Sequence, residues 1–372
     1  MPSEIYGLVI PKYGMVMTEG IISKWYREEG DAVSHGDELV DIETEKVANV
    51  YESPQHGILR RKIVSEGQSV PIGSLFGIIA SSDVEEAEID AYVEKFQSTF
   101  NSAATTSSGA SPEVIDIPGG YIRFLKQGDD ADADIVLVHG FGADLNNWLL
   151  NQAVLAESCS AYAIDLPGHG GSIKNPQIAT IEDIAAAVLA FLDAKKLSSI
   201  HLVGHSLGGG VATKIALERP GLVKSLTLIA PVGLGKEINF TFVKGLMETD
   251  RRKEMQSLLE TLFHNPALVS REMTMNVLNS KRIDGAVTCL RAIAEHCFAG
   301  GEQTSILRGN LLQLSVPIQI IWGRSDRIIP PQHAASLPRT INIHLIENAG
   351  HMVHMEKASD VNRLILHFVA AI

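Results

Sequence analysis

Gly204-His205-Ser206-Leu207-Gly208 has the spacing of a serine nucleophile on a tight turn. An apolar run, 200–203, precedes it and a helical pattern follows from Leu207, so the hydroxyl would sit exposed at a helix N-terminus. The bland alternative for Ser206 is an N-cap serine. A serine hydroxyl needs a base, and the base needs an orienting carboxylate. Among 13 histidines, topology has to choose. In strand–turn–helix architectures with this turn, the acid and then the histidine follow later strands. The run 318–321 leads into Trp322-Gly323-Arg324-Ser325-Asp326, and the run 343–346 leads into Asn348-Ala349-Gly350-His351. Asp326 and His351 are therefore expected at the same sheet edge as Ser206. A loop or cap aspartate and a surface loop histidine are the alternatives. His354, a turn further on, is the nearest rival to His351.

Acyl transfer also needs donors for a developing oxyanion. The N–H of Leu207 is one candidate, and the N–H of Phe141 in Val138-His139-Gly140-Phe141-Gly142 is the other. His139 is expected to be a structural loop histidine, and Asp165-Leu166-Pro167-Gly168-His169-Gly170 a structural turn at the same edge. A second focus is Lys46 in Asp41-Ile42-Glu43-Thr44-Glu45-Lys46-Val47, where alternation on both sides suggests a hairpin with Lys46 near its tip. A solvated turn lysine is the alternative.

The elements that must position these residues differ between the two ends of the chain. Residues 3–80 are short apolar runs punctuated by glycine, and they repeat. Gly20-Ile21-Ile22 recurs as Gly57-Ile58-Leu59, Glu29-Gly30 as Glu66-Gly67, Val33 as Val70 and Gly36 as Gly73, all at an offset of 37 residues. Such a repeat implies two similar halves burying one core between small sheets. Residues 81–97 are acidic and suggest a short helix. Residues 98–112 are small and polar and are expected to form a flexible linker. If the roughly 30 residues were all coil, they would span about 30 Å.

From 113 onward, strand-like runs at 121–125, 135–138, 161–164, 200–203, 226–229, 318–321 and 343–346 alternate with helical patterns near 180–195, 207–219 and 357–371. That alternation predicts a mostly parallel sheet with helices on both faces. The helix-rich stretch 237–305 interrupts it and is expected to form a cap over the C-terminal strand edge.

Composition narrows the partners. Lys plus Arg number 31 against 44 Asp plus Glu, a formal charge of -13, which disfavours nucleic acid. Cys159, Cys289 and Cys297 form no CxxC and cannot make a disulfide framework, so a reducing, cytoplasmic setting is expected and no metal site. No apolar stretch reaches membrane-span length, and the first residues lack the pattern of a secretory signal.

The motifs HGFG, DLPGHG, GHSLGG, GRSDRIIP and NAGHMVHMEKA stand in an order that resembles the α/β-hydrolase fold over 113–372. The resemblance implies Ser206 as nucleophile, His351 as base, Asp326 as its orienter and 237–305 as a cap. Residues 3–80 resemble an all-β, flattened lipoyl-type sandwich, which implies an amide-linked lipoyl group on Lys46. Glu45 and Val47 flank this lysine where biotinyl domains have methionines, so lipoate is favoured. The chain lacks the basic peripheral-subunit-binding segment and the H-x-x-x-D-G signature of other lipoyl acyltransferases.

Domain order is then lipoyl carrier 1–80, linker 81–112 and hydrolase-fold domain 113–372. It resembles the acyltransferase components of acetoin-cleaving dehydrogenase systems. That resemblance implies acetyl transfer from the dihydrolipoyl arm on Lys46 to coenzyme A through Ser206. It implies as partners a thiamine-diphosphate-dependent acetoin dehydrogenase component, dihydrolipoamide dehydrogenase and a lipoate-attaching enzyme, and it implies a homo-oligomer. A thioesterase or ester hydrolase, and a lipoyl scaffold with an inert hydrolase domain, are the alternatives.

Overall fold

The computed structural model describes residues 5–11, 19–43, 48–106, 111–128, 133–335 and 337–372. Contacts divide the chain into two units, Met1–Gly109 and Ala110–Ile372.

In the first unit, glycine-punctuated apolar runs become eight strands: β1 (Tyr6–Val9), β2 (Glu19–Trp25), β3 (Ala32–Val33), β4 (Glu38–Glu43), β5 (Ala48–Glu52), β6 (Gly57–Lys62), β7 (Ser69–Pro71) and β8 (Leu75–Ala80). They form two antiparallel sheets, β1-β8-β6-β3 and β5-β4-β2-β7. The 37-residue shift carries one sheet's pairing onto the other. Ile22 opposes Ile42 as Leu59 opposes Ile79, and each pairing bulges at the next residue. Gly30 N–H donates to the Leu59 carbonyl (2.8 Å), and Gly67 N–H to the Ile22 carbonyl (2.7 Å). Both glycines have positive φ, +95° and +82°, which L side chains rarely adopt. The buried core repeats too: Ile22 with Leu59, Leu39 with Phe76, and Ile42 with Ile79.

The acidic segment corrects an expectation. A single helix, α1, runs Glu86–Thr106, nine residues into the stretch expected to be coil. Its apolar residues explain this: Ile89, Tyr92, Val93 and Phe96 follow i, i+3, i+4, i+7 spacing. They pack with Val84 against Leu75 and Ile78 of β8, so the first unit does not end at residue 80. Glu86 adds ion pairs to Arg60 and Arg61, both at 2.6 Å. Their hydrogen bonds, Arg60's foremost, hold the Glu86 carboxyl below the usual range.

The second unit carries β9 (Glu113–Ile117), β10 (Gly120–Gln127), β11 (Asp134–Val138), β12 (Ser160–Ile164), β13 (Ile200–His205), β14 (Val223–Ile229), β15 (Ile318–Gly323) and β16 (Asn342–Ile346). Their order is β16-β15-β14-β13-β11-β12-β10-β9. Pairing is parallel from β16 to β12, while β10 runs antiparallel to both its neighbours. β9 was not among the expected strands; it pairs with β10 across a short turn at Gly119 and Gly120.

Period-2 alternation sends Val136 and Val138 to one face, with helices Ile181–Ala194 and Leu207–Glu218. Ile135 and Leu137 face the other side, with helix Ala358–Ala370. The chain reverses its direction of travel across the sheet at β11, between β12 and β13. Ligands of open α/β sheets bind at the strand C-termini beside such a reversal.

Between β14 and β15 stand the helices Phe240–Glu248, Arg252–Leu259, Arg271–Lys281 and Ala286–Cys297. An antiparallel bridge between Glu237 and Glu302 closes this excursion at its base. The Gln303 side chain accepts from Gly233 N–H (2.7 Å) and donates to the Glu237 carbonyl (2.8 Å). Among the described residues no helix is long and apolar enough to cross a membrane. All three cysteines are free and buried.

Candidate active site

Ser206 stands between β13 and the helix Leu207–Glu218 at φ 53°, ψ −118°. A non-glycine residue there stores roughly 1–3 kcal/mol of backbone strain. Its surroundings hold it in place. Ser206 N–H donates to the Ile229 carbonyl (2.9 Å), and its own carbonyl accepts from Gly209 and Val232 N–H (2.9 Å each). The flanking glycines are steric necessities. A Cβ on Gly204 would lie 2.3 Å from the Gly208 carbonyl oxygen, and one on Gly208 would lie 2.3 Å from that of Val138.

Asp326 and His351 come from the loops after β15 and β16 and meet. His351 Nδ1 lies 2.8 Å from Asp326 Oδ2, with both side chains buried. Asp326 is saturated with donors: Trp322 Nε1 on Oδ2 (2.9 Å), and Ile328 and Ile329 N–H on Oδ1 (2.8 and 3.0 Å). A carboxylate so held accepts from Nδ1–H. That leaves His351 Nε2 free to take a proton. Ser206 and His351 line one cavity.

Other residues support this arrangement. His205, just before Ser206, is buried, and its Nε2 lies 3.1 Å from the His351 carbonyl. It can only donate there, so it pins the loop that carries His351. Burial, then its neighbours His354 and His351, pushes its pKa well below the usual histidine value. Glu356 accepts from His264 and Asn265 N–H (2.9 and 3.1 Å) and also from Gly350 N–H. It thus ties the His351 loop to the excursion between β14 and β15. Adjacency to Ser206 could have flagged His205 in the sequence; no local signal marks Glu356.

The rival His354 is buried against Trp148 and His205, and burial pushes its pKa down to about 3. It does not line the cavity. His139 Nδ1 lies 2.8 Å from the Gly140 carbonyl, and its Nε2 accepts from Leu166 N–H (3.0 Å). Asp165 is buried in an ion pair with Arg123 (2.6 Å) and accepts from Leu145 and Gly171 N–H. Both are ties within the loops rather than groups facing the cavity.

Comparison with known proteins agrees with both units. A family model described as alpha/beta hydrolase fold matches residues 135–358. One described as biotin-requiring enzyme matches residues 7–79. The chain is 39% identical over 369 residues to the dihydrolipoyllysine-residue acetyltransferase component of the acetoin cleaving system of Pseudomonas putida, covering 99% of both chains. To the component so named from Cupriavidus necator it is 37% identical, covering 97% of this chain and 96% of that one.

The chain belongs to this acetyltransferase component family. The solved structure of a meta-cleavage product hydrolase from Pseudomonas fluorescens is 20% identical, with a TM-score of 0.63 over 70% of this chain and 97% of that one. That likeness shows the fold of the second unit.

In this family member the cavity measures about 330 Å³. Phe141, Phe242, Leu246, Met273, Val277 and Phe298 make much of its wall. Leu207 is the first helical residue, so its N–H has no intrahelical acceptor. The loop bearing Phe141 passes close by, since a Cβ on Gly140 would lie 3.0 Å from Ser206 Cβ. Lys46, with residues 44–47, lies outside the described residues. The strands on either side of it, β4 and β5, pair up to Glu43 and Ala48.

Proposed function

We propose that this chain passes an acetyl group from the dihydrolipoyl arm on Lys46 to coenzyme A, using Ser206, His351 and Asp326. The observation that carries the reading is the His351–Asp326 hydrogen bond beside a strained serine on the same cavity, in a chain that also bears a lipoyl-type unit. Lipoate is the prosthetic group, and coenzyme A is the acyl acceptor. When bound, lipoate supplies a thiol that holds the acetyl group as a thioester. A twofold-repeated sandwich, with Lys46 in the sequence between its paired strands β4 and β5, fits that attachment.

The second unit's residues perform the transfer. Ser206 Oγ adds to the thioester carbonyl while its proton passes to His351 Nε2. Phe141 and Leu207 N–H groups take the oxyanion. His351 would return the proton to the departing sulfur as the carbon–sulfur bond breaks, leaving acetyl-Ser206. His351 then deprotonates the coenzyme A thiol, whose sulfur takes the acetyl group and returns Ser206. Asp326 keeps His351 in the one tautomer that works in both halves. Among the described residues no lysine or arginine lines the cavity, so the acceptor enters by its uncharged thiol arm and its phosphates stay outside. The apolar wall excludes water that would otherwise release acetate.

The chain works within a multienzyme system. A thiamine-diphosphate-dependent acetoin-cleaving component supplies the acetyl group, dihydrolipoamide dehydrogenase reoxidises the arm, and a lipoate-attaching enzyme modifies Lys46. A homo-oligomer in the cytoplasm is the proposed setting. The deciding assay supplies S-acetyldihydrolipoamide and coenzyme A to the wild type and to Ser206→Ala. Acetyl-CoA formation that falls at least about 10⁴-fold in the variant is expected. Acetate without acetyl-CoA would mean a thioesterase, and neither product would mean a scaffold.

A further inference from the structure

The cavity is larger than its proposed cargo. A cavity of roughly 150 Å³ holds benzene, so about 330 Å³ has room for roughly a dozen carbon-sized atoms. An acetyl group brings three, and the sulfur and first carbons of the leaving arm bring about five more. The remaining space faces side chains of the excursion between β14 and β15, among them Val243, Leu246, Met273 and Val277.

Charge restricts what can fill that space. The charged-type side chains on the wall are Asp144 and Glu272, with the histidines His205 and His351; the other polar groups are neutral amides and hydroxyls. No Lys or Arg among the described residues lines it. Glu272 opens the helix Arg271–Lys281, and burial pushes its carboxyl up. Burial, with Asp165 nearby, pushes Asp144 up to about 6. Both shifts mean that negative charge is already disfavoured at this wall. An incoming carboxylate would lose its hydration, meet no cation and face two acids.

We propose that the site accepts uncharged aliphatic acyl groups longer than acetyl, up to about six carbons, and rejects acyl groups that carry a carboxylate. The inference rests on the transfer reading above and uses the same bond changes. The acyl carbon–sulfur bond breaks as the Ser206 ester forms, and that ester breaks as the new thioester forms.

The test supplies the purified full chain with coenzyme A and the acetyl, butanoyl, hexanoyl or succinyl thioester of dihydrolipoamide, and measures each acyl-CoA. Hexanoyl kcat/KM at or above that of acetyl is expected. Succinyl should fall at least about 30-fold below butanoyl, which has the same carbon count. Hexanoyl below acetyl overturns the size claim, and succinyl within 30-fold of butanoyl overturns the charge claim. Glu272→Lys should raise the succinyl-to-butanoyl ratio at least about tenfold. An unchanged ratio in a variant with the wild-type melting curve also overturns the charge claim. If acetyl transfer itself is absent, or survives Ser206→Ala, the transfer reading has failed and this inference falls with it.

Discussion

The two units place their chemistry in opposite ways. In the first, the proposed functional residue falls in the sequence between β4 and β5, and the repeat around it builds only a scaffold. In the second, Gly140, Ser206 and His351 line one cavity from the loops after three different strands, and Asp326, from the loop after a fourth, holds His351. A carrier lysine needs reach and access. An acyl-transfer serine needs a strained turn, a tautomer-locked base and a dry wall, and no single segment can supply all three. Damage in the first unit should therefore act on attachment, and damage in the second on turnover.

The sharpest separation comes from a pair of variants. Asp326→Asn should lower kcat for free S-acetyldihydrolipoamide by about 10³- to 10⁴-fold, because the amide no longer dictates the His351 tautomer. Intact mass should still show the lipoyl increment. Lys46→Arg should show the reverse, with the increment gone and turnover of the free thioester unchanged. Loss of free-substrate turnover in Lys46→Arg would erase the distinction between the units.

Stability should divide along the same line. Ile89 is fully buried between α1 and β8, and Ile89→Ala should cost the first unit about 2–5 kcal/mol. Calorimetry should show its transition fall while that of the second unit stays in place.

Acid should strike the second unit harder. Burial holds His139 at about 4, and His169 and His354 at about 3. The unfolded chain protonates these groups near 6.5 while the folded one refuses, so stability is lost as pH falls from about 6.5 toward those values. By pH 5 each contributes about 2 kcal/mol of destabilisation. Asp144, raised to about 6, offsets part of this by protonating first in the folded state, and Asp165 acts in the same direction. The second unit's Tm should fall between pH 7 and pH 5. Among the described residues of the first unit no histidine is buried, so its Tm should move less.

The smallest effect concerns His205. Removing its bond to the His351 carbonyl in His205→Phe should lower kcat about tenfold with KM unchanged, and His205→Gln should restore part of it. Equal losses in both variants would show that ring packing, not the hydrogen bond, is what matters.

Much of this was legible before any coordinates. The seven expected strands of the second unit all occur; the central parallel ones are legible because buried parallel strands write themselves as unbroken apolar runs. The repeat predicted paired halves, and its offset reappears in register, bulges and turn hydrogen bonds. β9 escaped because Glu113–Ile117 is half polar and borders the edge of the sheet. The full length of α1 escaped because acidic and small residues masked an apolar stripe whose partner, β8, lies in another segment.

Sequence alone determined the local chemistry: a serine on a glycine-bounded turn, a lysine between the two copies of a repeat, and an acid and a histidine after late strands. Those features are legible because steric limits on a turn and the period of a strand act over a few residues. Only the tertiary structure decided that His351 rather than His354 meets Asp326, and that His205 and Glu356 brace the loop of His351. It alone also decided that, among the described residues, the cavity wall carries acids but no Lys or Arg. Those outcomes depend on which distant side chains share a buried volume, where one ångström or one missing counter-charge outweighs any local preference.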